Sequence, residues 1–405
     1  MPTLQPSASE GPGPMRPRIH WKQTWRFCLA AFCMDLASGM YLVALPYLAM
    51  SIGAGSMGLG VVAALSGGAY VLACLVSSPL SDRHSRRGLI VAATVGLSLV
   101  YLATARTALL WQLCLLVLGW GISLSLFWPP VFGWLGDSLR RNELEAATGA
   151  VNVSWALGAL LGGVVGGWLY AVRVPLAFLC PIIPVLVACA VMVSSPCPHG
   201  TPAPPKTAPR TPGARRALAA VWLGNLSVCS LLGLMSGVFP KLGEQIGVDA
   251  RAFGLLMAGL GLGRLPAFVL AFRWGRWLHD WRVGMVTQVL AAAMVATVSQ
   301  ASAYAWLSLV FLSLGLTGGA NYYRGLFKSL EGEGSRGFKS GMHEASLMAG
   351  YLVGSLASGA MASHWGLRTP YVPIALLSVG LVVVQIVLVH SASRAQAATD
   401  AEPDS

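Results

Sequence analysis

The sequence predicts an all-α polytopic membrane protein, with twelve transmembrane helices in two pseudo-symmetric six-helix bundles, on three observations. Of its 405 residues, 55% are apolar, 10% are charged and 47 are glycine, and its mean hydropathy is +0.66, outside the range of a soluble domain. Uncharged runs of about 20 residues, enough to cross a hydrocarbon core of about 30 Å, recur along the chain. Between Ser194 and Arg216 the stretch "SSPCPHGTPAPPKTAPRTPGARR" is proline-dense and too polar to span, so it reads as a flexible linker dividing six runs from six.

The spans are predicted at 24–48, 57–80, 88–105, 109–135, 146–170 and 174–195 in the first half, then at 217–240, 251–273, 283–301, 304–327, 342–363 and 369–390. The first two come from one uncharged run, Leu36 to Ser81, which is too long for one helix and is broken by "SIGAGSMG", a glycine and serine hairpin signal. Residues 1–20 are expected to form a disordered tail, 21–195 the first bundle, 196–216 the linker, 217–391 the second bundle and 392–405 a second tail. The first 20 residues are polar and proline-rich, without the apolar core of a signal peptide, so the first span is expected to be retained.

Orientation follows from the 27 Lys and Arg, because short basic loops stay in the cytoplasm. Twenty lie in the tails, the linker and the loops on the linker's side. Five (Arg106, Arg173, Lys241, Arg251 and Arg368) lie on the other side, and Arg264 and Arg324 lie within spans. Both termini are therefore expected in the cytoplasm, with the cytoplasmic (inner) membrane as the location. The net charge of +12 is explained by topology, so no nucleic acid partner is needed; the lipid bilayer is the expected surroundings, and the protein is expected to be a monomer. The eight cysteines lie in or beside apolar spans without CxxC pairs, which points to packing. Cys197 and His199 give two of the three or four ligands that a metal site needs, so neither a metal nor another cofactor is expected.

The halves repeat. A constant offset of 192 matches Gly149 with Gly341, Ser154 with Ser346, Gly158 with Gly350, Gly162 with Gly354 and Gly167 with Gly359, so span five corresponds to span eleven. Glycines at four-residue spacing, including Gly158, Gly162 and Gly163 and then Gly350 and Gly354, let another helix backbone approach closely. Helix packing accounts for the glycines, and duplication accounts for their shared register.

The loop between spans two and three carries the densest charge, "SSPLSDRHSRRGLI" from Ser77. In a twelve-span chain of two halves it resembles the signature of the major facilitator superfamily (MFS), G-x-L-a-D-r-x-G-r-k, with Leu80, Asp82, Arg83, Arg86 and Arg87 in step and serine at both glycine positions, Ser78 and Ser85. The resemblance implies a cytoplasmic gate latch between the halves at this loop. Asp82 could cap a helix N-terminus or pair with a cation, while Arg83, Arg86 and Arg87 could hold the loop on the anionic leaflet; a plain topology anchor is the alternative. Leu45 and Pro46 resemble the proline motif that ends span one of the drug–proton antiporters. The glycine-proline pair of their span five is here Gly158 and Ala159, and their span-four arginine is absent.

Ionisable groups inside the bilayer cost roughly 2.5 to 3.5 kcal/mol each on insertion scales, so each is a functional candidate. Asp35 lies about halfway along span one, Arg264 just past the middle of span eight and Arg324 in span ten. The resemblance implies that spans one, four, seven and ten line a cavity, which would place Asp35 and Arg324 on it and Arg264 near its wall. Asp35 reads as a carboxylate that takes and releases a proton as access alternates, or as one half of a static ion pair. The arginines read as attracting an anionic group or as structural partners. Asn225, Asn321, Tyr322, Tyr323 and Trp128 are further cavity candidates, Trp128 standing beside the helix-kinking Pro129 and Pro130. His343 and Glu344, at the start of span eleven, are expected at the membrane interface.

No HExxH, GxSxG or paired His and Asp motif is present, so the chain is not expected to be an enzyme. The expected function is secondary active transport of a small solute, with proton-coupled efflux as the leading mode. Facilitated uptake or symport of a small organic anion, or a non-transporting receptor or scaffold, are the alternatives.

Overall fold

The computed structural model describes residues 21–81, 85–139, 141–195, 212–273, 280–330 and 336–401. The first half is built from α1 (Trp21–Ser51), α2 (Ser56–Ser81), α3 (Arg86–Thr104), α4 (Leu110–Ser125), α5 (Trp128–Ser138), α6 (Arg141–Val172), α7 (Val174–Leu179) and α8 (Ile182–Val193). The second half comprises α9 (Pro212–Gly237), α10 (Phe239–Gln245), α11 (Ala250–Arg273), α12 (Trp281–Thr297), α13 (Tyr304–Leu330), α14 (Arg336–Trp365) and α15 (Tyr371–Ala401). Helix α9 begins inside the stretch read as linker, and α15 runs through most of the stretch read as a tail.

Ten helical segments among the described residues are long and apolar enough to cross a bilayer. The two further predicted spans are also helical: α12 has 17 residues, and α13 is 27 residues long but carries Asn321, Tyr322, Tyr323 and Arg324 in its second half. Span four is two helices rather than one, because Pro129 and Pro130 fall in the first turn of α5, where a missing N–H costs nothing. Spans six and seven also break, with Pro181 just before α8 and Pro240 in the first turn of α10.

Turn chemistry sets the remaining ends. Ser85 and Asp280 accept the backbone N–H of Gly88 and Arg282 and so cap α3 and α12. Gly53, Gly247 and Gly366 take left-handed φ values of 92°, 83° and 100°, a conformation that glycine adopts without a Cβ clash. They close the turns after α1, α10 and α14, all at one end of the molecule.

Within each half the repeated glycines do the same work. A Cβ at Gly158 or Gly162 would run into the Phe32 or Leu36 carbonyl of α1, and one at Gly350 or Gly354 into the Leu226 or Ser230 carbonyl of α9. Helix α6 therefore lies directly on α1, and α14 directly on α9. The halves meet along two seams, α6 with α11 and α2 with α14. Both are tightest at the end marked by Gly53 and Gly247: Gly60 faces Ser355 and Gly359, Gly163 faces Gly254, and Gly167 faces Ala250. There the Tyr47 hydroxyl donates to the Val248 carbonyl at 3.2 Å, and Lys241 Nζ reaches the Ala54 carbonyl at 3.5 Å. The outer surface is apolar, with Leu72, Val76, Ile183, Leu376 and Val387 exposed, and exposed Trp21, Trp168 and Trp365 stand near helix ends, as a bilayer and its interfaces require.

Candidate functional site

A cavity of about 230 Å³ lies between the two bundles, lined by residues of α1, α2, α4, α5 and α6 from one half and of α9, α11, α13 and α14 from the other. Its walls are largely aromatic and aliphatic, with Trp120, Trp128, Trp155, Tyr70 and Tyr322 among them. Such a pocket, with few polar groups fixing orientation, is the usual form of a small-molecule site.

Three ionisable side chains enter this apolar space. Asp35 comes from the middle of α1, where small residues and the Gly162 contact bring α6 onto its helix. Its Oδ2 is buried and accepts no hydrogen bond. The Trp155 side chain, Arg264 and Glu344 are the groups that act on it electrostatically. Arg264 comes from α11, and its guanidinium lies over the Trp155 ring, 4.7 Å from the centroid, an attraction between cation and ring face. Among the described residues no ion pair within 4.0 Å joins Arg264 to Asp35 or to Glu344.

Glu344 is the third, and it corrects the sequence reading: the residue expected at the interface is 7% exposed and lines the cavity. Both of its oxygens are engaged. The Tyr322 hydroxyl donates to Oε1 at 3.0 Å from α13 in the same half, and the Tyr70 hydroxyl donates to Oε2 at 3.3 Å from α2 in the other. His343 is buried as well. Its Nδ1 lies 3.1 Å from Asn225 Nδ2, which also donates to Ser346 Oγ at 3.0 Å. Asn225 Oδ1 and His343 Nε2 have no partner.

The other sequence candidates divide. Trp128 lines the cavity and stacks on Phe132 at 5.6 Å. Tyr322 stacks on Trp155 at 5.1 Å across the boundary between the halves. Asn321 touches the cavity and joins a buried amide cluster, accepting from Gln288 Nε2 at 3.0 Å, with Gln385 bonded to Gln288 in turn. Tyr323 is packed in the apolar core and is not part of the cavity lining. Arg324 also lies off the cavity: its guanidinium occupies the space that a side chain at Gly284 of α12 would fill, and Asp280 is the acidic group acting on it. A position within a span leaves the direction around the helix open, and the room for Arg324 comes from a glycine on the facing helix.

Of the charged loop, Asp82 and Arg83 lie outside the described residues. Arg86 forms an ion pair with Asp137 at the end of α5, and Arg87 donates to the Ser195 carbonyl just beyond α8 at 2.7 Å. Both arginines thus tie the start of α3 to neighbours in its own bundle, where the sequence suggested lipid headgroups. Cys28, Cys33, Cys74 and Cys229 are buried and none of the described cysteines is in a disulfide. Among the described residues no group of three or more His, Cys, Asp and Glu could hold a metal ion.

The sequence profile of the Major Facilitator Superfamily matches residues 27–327. The chain is 24% identical over 395 residues to the Enterobactin exporter EntS of Salmonella typhi, covering 89% of this chain and 90% of that protein. It is also 24% identical to the EntS of Escherichia coli O1:K1 / APEC, with 89% of each covered. Among solved structures, the nucleoside transporter NupG superposes with a TM-score of 0.69 at 12% identity, over 90% of this chain and 98% of that one. The human organic anion transporter MFSD10 (TETRAN) gives 0.68 at 15% identity, over 89% and 98%. These structural likenesses carry the fold.

Proposed function

Because the chain belongs to the Major Facilitator Superfamily, we propose that its central cavity carries a small solute across the cytoplasmic (inner) membrane by alternating access, as a proton-coupled exporter. The observation that carries this reading is the placement of Asp35, Arg264 and Glu344 in one aromatic-walled cavity at the boundary of two bundles. Buried ionisable groups are retained inside a membrane where ions or protons travel. The cavity also lies between two repeats that touch backbone to backbone at one end, and rocking of one repeat against the other is how such folds alternate access.

The solute class follows from the lining. Seven aromatic side chains in the lining favour a flat or apolar organic body, and one guanidinium beside two carboxylates favours a solute with at least one charged group. Export is supported by the relatives named as exporters, and termini on the cytoplasmic side are supported by the twenty-to-five charge asymmetry. Asp35 is the proposed coupling residue, because its unpartnered oxygen faces a cavity that can open to either side. Asp82 is the proposed gate residue of the charged loop, since Arg86 and Arg87 are already engaged within one bundle.

A second reading rests on Arg264, which has no ion pair within 4.0 Å among the described residues and could instead hold the anionic group of a solute taken up by symport. Proteoliposomes containing the purified protein, screened with amphipathic organic solutes and with a pH gradient of either sign, separate the two. Counterflow of solute against protons supports export by antiport. Movement of both in one direction selects symport, and solute flux that ignores the gradient removes proton coupling.

A further inference from the structure

We propose that Glu344, clamped between Tyr70 of one bundle and Tyr322 of the other, is a second proton-binding site, one whose occupancy acts directly on the contact between the bundles. The inference rests on the transport reading only in supposing that the bundles move.

The clamp reads the proton by its hydrogen-bond count. An ionised carboxylate accepts at both oxygens, and both tyrosine hydroxyls point at one. A protonated carboxyl has one O–H donor, so one of the two hydroxyls must turn or give up its bond. The bond across the bundles, from Tyr70, is the longer at 3.3 Å, against 3.0 Å for Tyr322 within the bundle. It yields first, because Tyr322 is also held by its stack on Trp155 at 5.1 Å and by the His343 ring at 5.0 Å. Taking up a proton at Glu344 therefore reverses or removes the Tyr70 bond between α2 and α14, one of the two seams along which the halves meet.

Charge counting gives the proton a reason to come. Around Glu344 stand Tyr70 and Cys74 on α2, Tyr322 on α13, Cys229 on α9, Arg264 on α11 and Asp35 on α1. His343, next to it on α14, is turned to Asn225. Arg264 is the one cation of this group and shares the cavity lining with two carboxylates, with an ion pair to neither. The charged side chains of the lining carry one negative charge in excess when both carboxylates are ionised, and a proton or the cationic group of a solute neutralises it. Asp35 Oδ2 and the Oδ1 of the fully buried Asn225, both on the cavity lining, are without a partner. Two polar atoms of the lining that holds Glu344 are thus left unsatisfied.

Infrared difference spectra of the full chain in a lipid bilayer, recorded between high and low pH, test this without any transport. Among the carboxylic C=O bands of the wild-type protein, one is expected to be lost in D35N and a different one in E344Q. A spectrum of E344Q with the same bands as the wild type overturns the site. Should E344Q fold poorly, Y70F takes its place: it removes one of the two donors to the ionised Glu344 carboxylate, so the carboxylate band lost on acidification must shift, and an unshifted carboxylate band overturns the clamp. Thermal melts of Y70F, E344Q and the double variant should show the double variant no worse than E344Q alone, while additive losses count against the link between bundles. Both band losses without proton-driven flux in proteoliposomes would sink the transport reading and leave this site standing. Proton-driven flux with unchanged spectra and melts in E344Q would do the reverse.

Discussion

A single methyl group at Gly60 should force apart the end of the molecule at which the two bundles are sealed. A Cβ there would stand 2.7 Å from the Ser355 carbonyl oxygen and 2.8 Å from the Gly359 Cα. Carbon atoms pack at about 3.5 Å, so α2 and α14 must separate by about 0.7 Å. The colliding atoms are backbone, which cannot turn aside as a flexible side chain would. Overpacking of this kind costs about 1 to 3 kcal/mol, and the cost falls on the conformation in which this end is closed. A bias of that size changes the ratio of two conformations by roughly 5- to 150-fold. Gly380→Ala is the matched control, because nothing lies within 4 Å of a Cβ at that position in α15 and alanine suits a helix interior. Spin labels at Met57 and Gln245, exposed positions on opposite bundles near the sealed end, in a background without the native cysteines, report the separation. Gly60→Ala should populate a longer distance and Gly380→Ala should not. Identical distance distributions in the two variants would refute the claim that the glycine contact holds this end shut.

Three further outcomes are expected. Asp35→Asn should abolish concentrative transport while leaving insertion and folding intact, because asparagine keeps the shape without the exchangeable proton; full gradient-driven flux in the variant would remove Asp35 from coupling. Arg264→Gln should weaken solute binding at least tenfold with a melt within a few degrees of wild type, since the cation–ring contact to Trp155 contributes only about 0.5 to 2 kcal/mol. A collapse of stability recovered by adding Asp35→Asn would instead reveal a pair formed in another conformation. Gly284→Leu should destabilise the second bundle by more than Gly380→Ala does, because it takes the space filled by the Arg324 guanidinium, and equal melts would place Arg324 elsewhere.

The fold was legible because its causes are one-dimensional. Span length and the register of Gly158 and Gly162 against Gly350 and Gly354 can both be counted along the chain, and each is matched by a helix or a close approach. The breaks inside spans four, six and seven were half legible: the prolines were visible, but whether they bend a helix or start a new one depends on what satisfies the carbonyls before them.

The site was legible only where one helix decides it. Asp35, Arg264, Asn225, Asn321, Tyr322 and Trp128 do reach the cavity, because a polar group in the middle of an apolar span has few other places to go. Arg324 failed that rule through Gly284, a residue forty positions earlier whose missing side chain opens a berth on the far side of α13. Glu344 failed it in the opposite sense. In "FKSGMHEAS" it stands among Lys339 and His343, a polar run that reads as the water-facing start of a helix. What buries it is Tyr70, 274 residues earlier, and a pairing across that separation leaves no trace in local composition. One usable signal was present: Tyr70 and Tyr322 are hydroxyl donors inside otherwise apolar spans, and a buried donor requires an acceptor. A count of the acceptors that spans two and ten lack would have led to a carboxylate on the second half of the molecule, and in span eleven the candidate is Glu344.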